Sequence, residues 1–137
     1  MGLQTSIRDA ANWNVPVVGM QSSMREVIEK MVAAKVSAVL VKSDDTVTGL
    51  VSEMDVLDCI VGKNDLDTAR VAEFLTKCEV ITGQPVKSPC AQLDESESVE
   101  NALKVLAAAG TRHLLVAGEG DKAGIAALHD LLRLAVA

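Results

Sequence analysis

The chain has 137 residues, a formal net charge of −6, 49% hydrophobic residues, and Trp13 and Phe74 as its aromatics. That acidic balance argues against gripping nucleic acid by its phosphates, which needs a dense basic face, and the scarcity of aromatics leaves no surface for stacking bases. No apolar run reaches the ~18 residues of a membrane span and the start is polar, without a signal peptide, so no membrane role and a cytoplasmic setting are expected.

In chain order, residues 6–11 read as a short helix and Val15-Pro-Val-Val18 as a leading strand. A helix then starts at Ser23, with Met24, Val27, Ile28, Met31 and Val32 forming one apolar stripe. The β-rich run 36–41, an Asp44-Asp45 turn and the run 47–51 predict a hairpin. An apolar helix follows Asp55, carrying Val56, Leu57, Ile60 and Val61. Residues 62–67 are polar and read as a loop; residues 68–74 echo the short helix at the start. The segment 84–89 is irregular, because Pro85 and Pro89 disfavour a central strand. Cys90-Ala-Gln-Leu93 is a second leading strand, and Val99, Ala102, Leu103 and Leu106 make a second apolar stripe. A hairpin over 113–117 and 123–126, with Gly118 and Gly120 in its turn, leads to a last helix bearing Leu131, Leu132, Leu134 and Val136.

The second half therefore repeats the first. Gly49-Leu-Val-Ser-Glu-Met-Asp55 recurs as Gly124-Ile-Ala-Ala-Leu-His-Asp130, and residues 23–57 align with 98–132 at the same offset without a gap. Each copy is helix, hairpin, helix, which predicts an α+β fold rather than a doubly wound sheet. The copies occupy residues 1–66 and 67–137, each marginal alone and sharing one core as a tandem module.

Ser52 and Asp55 carry the clearest chemical signal. Ser52 sits where a strand becomes a helix, and a helix N-terminus offers unpaired N–H groups and partial positive charge to an anion. A carboxylate at the third helical position can also accept two hydrogen bonds from a cis-diol. The same two residues are equally an N-cap with an acidic first turn, worth ~1 kcal/mol without any ligand. Asp130 recurs without its serine, since Ala127 stands there, which favours a role beyond a reciprocal capping box. Arg112 and His113, at the start of the second hairpin, form a basic pair where the first copy has Ser37-Ala38. Alternation sends them to opposite faces, so one of them can meet a given phosphate; the other reading is an exposed arginine paired with surface carboxylates.

The remaining reactive side chains read as structural. Cys59, Cys78 and Cys90 match no zinc spacing and are expected to be reduced, with Cys59 packed in an apolar helix. His129 reads as surface or cleft lining, and the acidic run 94–100 as decoration of a helix start rather than a metal site. The phosphate-binding Gly-x-x-x-x-Gly-Lys is absent, and nothing positions a nucleophile beside a base. No enzyme activity, catalytic cofactor or metal is expected.

The order of helix start, apolar helix, hairpin, Gly-h-h-Ser-x-x-Asp and helix resembles the cystathionine β-synthase (CBS) domain, here as a tandem pair over about residues 7–134. The resemblance implies two pseudo-symmetric units with two clefts between them. Such pairs bind AMP, ADP, ATP or S-adenosylmethionine, often sense energy state, dimerise through their helices and regulate a partner protein. It assigns Asp55 and Asp130 to ribose hydroxyls, Ser52 to phosphate, and Arg112 with His113 to the position of a phosphate-reaching basic pair. Leu40 and Leu115 replace the proline usual in that strand, and Ala127 removes a hydroxyl, so the clefts are expected to be inequivalent. A stand-alone adenosine-ligand sensor and homodimer is the expected function; the alternative is an association module with degenerate clefts and no ligand.

Overall fold

The computed structural model describes residues 2–80 and 90–137; the irregular segment expected at 84–89 lies outside the described residues. The chain runs β1 (Ala11–Asn12), β2 (Val17–Gly19), α1 (Met24–Ala34), β3 (Ala38–Ser43), β4 (Thr46–Ser52), α2 (Glu53–Val61) and α3 (Val71–Phe74). It continues as β5 (Thr76–Lys77), β6 (Glu79–Val80), β7 (Ala91–Asp94), α4 (Val99–Ala109), β8 (His113–Ala117), β9 (Ala123–Ala127) and α5 (Leu128–Ala135). The fold is α+β with two small sheets. Both leading strands, both hairpins and all four long helices fall where the repeat predicts them. Among the described residues no helix is long and apolar enough to cross a membrane.

The hairpins carry the repeat into three dimensions. β3 pairs antiparallel with β4, Ala38 opposite Ser52 and Val41 opposite Gly49. β8 pairs with β9 in the matching register, His113 opposite Ala127 and Val116 opposite Gly124. Asp44 and Asp45 turn the first hairpin at φ of 50° and 67°, the left-handed pair whose twist matches two antiparallel strands. Each hairpin faces an amphipathic helix. Ser23 and Ser98 cap α1 and α4 by accepting the N–H groups of Glu26 and Asn101. Met24, Val27 and Met31 then bury on one sheet, and Val99, Ala102 and Leu106 on the other. Both helices end in a left-handed residue, Lys35 and Gly110, at equivalent positions.

The compact units do not follow the order of the repeats along the chain. One unit comprises Val15–Lys77; the other joins Met1–Asn14 to Cys78–Ala137. In the first, the sheet order is β2-β3-β4-β5; in the second it is β1-β9-β8-β7-β6. Each lead-in is held by a matched pair of backbone bonds. The Ile7 N–H donates to Glu97 O at 2.9 Å and the Val99 N–H to Thr5 O at 2.8 Å. The Val71 N–H likewise donates to Ser22 O at 2.9 Å and the Met24 N–H to Ala69 O at 3.0 Å. Ile7 and Val71, both fully buried, fill the same place in their respective cores. The segment ahead of the first repeat thus completes the core of the second, and the linker completes the core of the first. Short β-strands extend this: β1 lies along β9, and β5 along β4. Gly124 permits the approach of β1, since a Cβ there would stand 2.8 Å from the Asn12 carbonyl oxygen.

The cysteines correct an expectation. Cys78 and Cys90 are joined in a disulfide, with Cα atoms 4.5 Å apart; Cys59 remains a thiol, buried in α2 as expected. The reason is register. β6 and β7 are parallel with Glu79 opposite Ala91, so each cysteine stands one residue ahead of its strand and the two face each other. Sequence spacing carries no sign of this, because strand pairing alone brings the two together.

Ile7→Ala should cost ~2–5 kcal/mol, as for a large core side chain. Urea unfolding measures it; a loss under ~1 kcal/mol would mean that the lead-in is dispensable to the core.

Candidate functional site

In the first repeat, strand β4 runs straight into α2, and the junction is pinned from two sides. The Glu53 N–H donates to the Ser37 carbonyl at 3.0 Å, tying the first helical residue to the residue before β3. Ser52 is the N-cap, and it and Asp55 form a reciprocal capping box. The Ser52 N–H donates to Asp55 Oδ2 at 2.9 Å, and the Asp55 N–H reaches Ser52 Oγ at 3.4 Å. The stabilising role of the pair is thus realised in the fold.

A further partner of Asp55 carries no motif in the sequence. The Thr76 hydroxyl, on β5, stands 3.2 Å from Asp55 Oδ1 and 3.1 Å from Oδ2. Asp55 is therefore a half-buried carboxylate at a helix N-terminus, flanked by the Ser52 and Thr76 hydroxyls. Burial pushes its pKa above the ordinary aspartate value, while hydrogen bonds from the Ser52 backbone, the Thr76 hydroxyl and the Ser52 hydroxyl pull it back. Such a group is polar, poorly hydrated and fixed in direction. It can accept from a diol at the cost of exchanging one neutral donor for another.

The second repeat keeps the scaffold and changes the chemistry. The Leu128 N–H donates to the Arg112 carbonyl at 2.8 Å, the counterpart of the Glu53–Ser37 bond. Asp130 occupies the same third position of α5, but the N-cap is Ala127 and supplies no side-chain bond. Its carboxylate instead faces Arg133, at 3.8 Å. The residue equivalent to Thr76 is Asn12, since Asn12 pairs with Ile125 as Thr76 pairs with Leu50. Asn12 Oδ1 accepts from the Asn14 N–H at 2.9 Å, within its own turn. Arg112 is exposed just ahead of β8, and His113 is half-buried as the first residue of β8, opposite Ala127. Arg112, His113 and Asp130 thus gather around the start of α5, and Ser52 and Asp55 around the start of α2. His129 is exposed.

Leu40, where the resemblance implied proline, has a backbone N–H to use. Its N–H donates to the Pro16 carbonyl at 2.9 Å, a bond proline cannot make, and stitches β3 to β2. Among the described residues no group of three or more His, Cys, Asp or Glu side chains is placed to hold a metal ion.

The CBS-domain family model matches the chain twice, over residues 7–62 and 80–137. Solved structures with the same fold include an uncharacterised conserved protein from Pyrococcus horikoshii, 24% identical with a TM-score of 0.78, covering 97% of this chain and 93% of that one. A conserved CBS-domain protein of unknown function from Thermoplasma acidophilum is 19% identical with a TM-score of 0.77, over 94% of this chain and 68% of that one. The CBS domain of a bacterial CNNM/CorC-family Mg2+ transporter, in complex with ATP, is 19% identical with a TM-score of 0.72, over 98% of this chain and 89% of that one. Among curated proteins none matches the chain significantly.

Because the folded Asp55 holds its proton to higher pH than the unfolded chain does, its ionisation opposes folding. Stability should fall as pH rises from the ordinary aspartate value through the raised one, and Asp55→Asn should flatten that segment of the curve. Carboxyl NMR should show Asp55 titrating above the exposed aspartates, and Thr76→Val should move it higher still. A midpoint at or below the ordinary value would contradict the desolvated site.

Proposed function

Since the chain belongs to the CBS-domain family as a tandem pair, we propose that it is a regulatory module, not an enzyme, that binds an adenosine-containing ligand at the start of α2 and signals to a partner protein. The observation that carries this reading is the half-buried Asp55 carboxylate, held in direction by Ser52 and Thr76 at a helix N-terminus. A ribose supplies the two adjacent hydroxyls such an acceptor suits, and the helix start favours a phosphate beside it. AMP, ADP, ATP and S-adenosylmethionine all present that ribose. The ATP complex of the transporter's domain supports the class of ligand. The second repeat, with Ala127 and an Asp130 engaged by Arg133, is the weaker site, and Arg112 and His113 supply its basic character. The proposed setting is the cytoplasm.

An association module without a ligand is the second reading, and one observation favours it. α1 and α2 border an apolar groove of about 600 Å³ lined by Ile28, Val32, Val56, Leu57 and Ile60. Val32 is 72% exposed and Ile60 50%, an unusual cost for a chain alone in water. Lys35 and Glu53 also line the groove with opposite charges, which a second copy could pair reciprocally. Homodimerisation through this face is part of the proposal under either reading.

At ~100 times its dissociation constant the ligand should add ~2.7 kcal/mol of stability, a melting shift on the order of ten degrees. Asp55→Ala should abolish the shift, Asp130→Ala should reduce it less, and Arg112→Ala should weaken ATP and ADP more than adenosine. No shift with any of the four ligands would leave the association module. For assembly, sedimentation at micromolar concentration should give a dimer, and Ile60→Glu a folded monomer. A monomeric wild type would contradict the shared groove.

A further inference from the structure

We propose that the Thr76 hydroxyl is a latch: on the Asp55 carboxylate it holds β5 against β4, and a ribose diol that takes its place frees the strand. Every part of the latch belongs to the unit Val15–Lys77. β5 is two residues long and pairs with β4 as Gly49–Lys77 and Leu50–Thr76. A strand that short has little holding power of its own, so the bond from its hydroxyl to Asp55 is a large share of its attachment. Just upstream the chain is fixed. Val71 is fully buried, Phe74 and Leu75 pack on the same core, and the Leu75 N–H donates to the Val71 carbonyl at 2.9 Å. Thr76 and Lys77 therefore hinge beyond an anchored point.

The placing of the hydroxyl identifies it as the donor that gives way. Asp55 Oδ2 accepts the Ser52 N–H at 2.9 Å and stands 3.3 Å from the Ser52 hydroxyl. Those donors are fixed, because Ser52 caps α2 in a reciprocal box and the next residue, Glu53, is tied to the Ser37 carbonyl. Thr76 Oγ1 is instead nearly equidistant from the two carboxylate oxygens, 3.2 Å from Oδ1 and 3.1 Å from Oδ2, with one proton to share between them. A cis-diol donates one proton to each oxygen, so it needs the ground that Thr76 spans. The exchange replaces one donor by two and strips β5 of its tie to α2.

The latch belongs to one copy. Asn12 holds the position of Thr76 beside β9, but its amide oxygen accepts from the Asn14 N–H, and Asp130 faces Arg133. Each member of that pair has another partner, so a ligand at the second helix start leaves β1 in place. Lys77 is the last residue of its unit. In the first copy the arrival of a ligand is therefore written into the segment by which the chain leaves that unit. The hold on β5 needs no ligand; its release rests on the nucleotide reading of Asp55.

The test follows amide hydrogen exchange of the full chain by mass spectrometry, in peptides that contain residues 75–77, with and without saturating AMP. Without ligand, Thr76→Val should speed exchange there by about 3–10-fold, the worth of one hydrogen bond, while Thr76→Ser, which keeps the hydroxyl, should stay slow. Peptides from α1 should exchange alike in all three proteins, which separates release of β5 from general unfolding. AMP should speed the same β5 peptides in the wild type, against the usual slowing by a ligand, and add nothing in Thr76→Val. Calorimetric titration should show Thr76→Val binding AMP about 3–10-fold more tightly, since no hydroxyl competes. Unchanged exchange in ligand-free Thr76→Val would overturn the latch. Slower exchange of β5 with AMP bound, or weaker AMP binding by Thr76→Val, would overturn the release and make Thr76 a ligand contact. No AMP binding by any form, with Thr76→Val still fast, would overturn the nucleotide reading and the release with it, and leave the hold on β5 standing.

Discussion

The backbone bond that ties each final helix to the start of its hairpin is the constraint on which the rest depends. Glu53 gives its N–H to the carbonyl of Ser37, and Leu128 gives its N–H to that of Arg112 at the equivalent place in the second copy. Each bond satisfies one of the orphan donors of a helix start, and each closes the gap between strand ends that the hairpin register has already set opposite one another. Once the junction is fixed, the third helical residue can stand in one place. That residue is aspartate in both copies, Asp55 and Asp130.

Around this shared junction the copies have diverged in chemistry and kept their shape. Ser52 becomes Ala127, and Thr76 gives way to Asn12, whose amide oxygen turns back on its own chain. Asp55 is consequently half-buried and held by hydroxyls, while Asp130 faces an arginine on its own helix. Lys35 and Gly110 show the same tolerance in the scaffold: both take the left-handed conformation that ends the helix, glycine at less cost than lysine. The fold needs only the backbone at these points, so side chains there are free to specialise. The exchange of lead-ins adds a second layer. Because α3 and β5 belong to the linker, Thr76 reaches the first site from a segment that the sequence places ahead of the second repeat.

Most of the scaffold was legible because it is local and periodic. Ser23 and Ser98 announce their helices, the apolar stripes fall on buried faces, and the gapless alignment predicts that Gly49–Asp55 and Gly124–Asp130 occupy matching places. The lead-ins were only partly legible. The short helix of the linker could be seen, whereas residues 7–9 form only a 3-10 turn; the interval from Ile7 to its counterpart Val71 is shorter than that from Gly49 to Gly124, and their partners lie in the other repeat's helix start. The Cys78–Cys90 bond was misread for the same reason, since only the parallel pairing of β6 with β7 brings the two residues face to face. In the site, Ser52 and Asp55 were visible because a capping box is written within a single helical turn. Thr76 was not, since it stands far along the chain from Asp55 and carries no motif. The interval from Ile7 to Val71, applied to Asn12, was the one signal that could have found it.

Inequivalence of the two helix starts is the centre of this account, and an amide-resolved NMR titration of the full chain with AMP tests it most directly. The account predicts that the amides of Ser52, Glu53, Asp55 and Thr76 shift first and saturate at a lower AMP concentration than those of Ala127 to Asp130. Equal midpoints at the two helix starts, or saturation at α5 below the concentration that saturates α2, would contradict it.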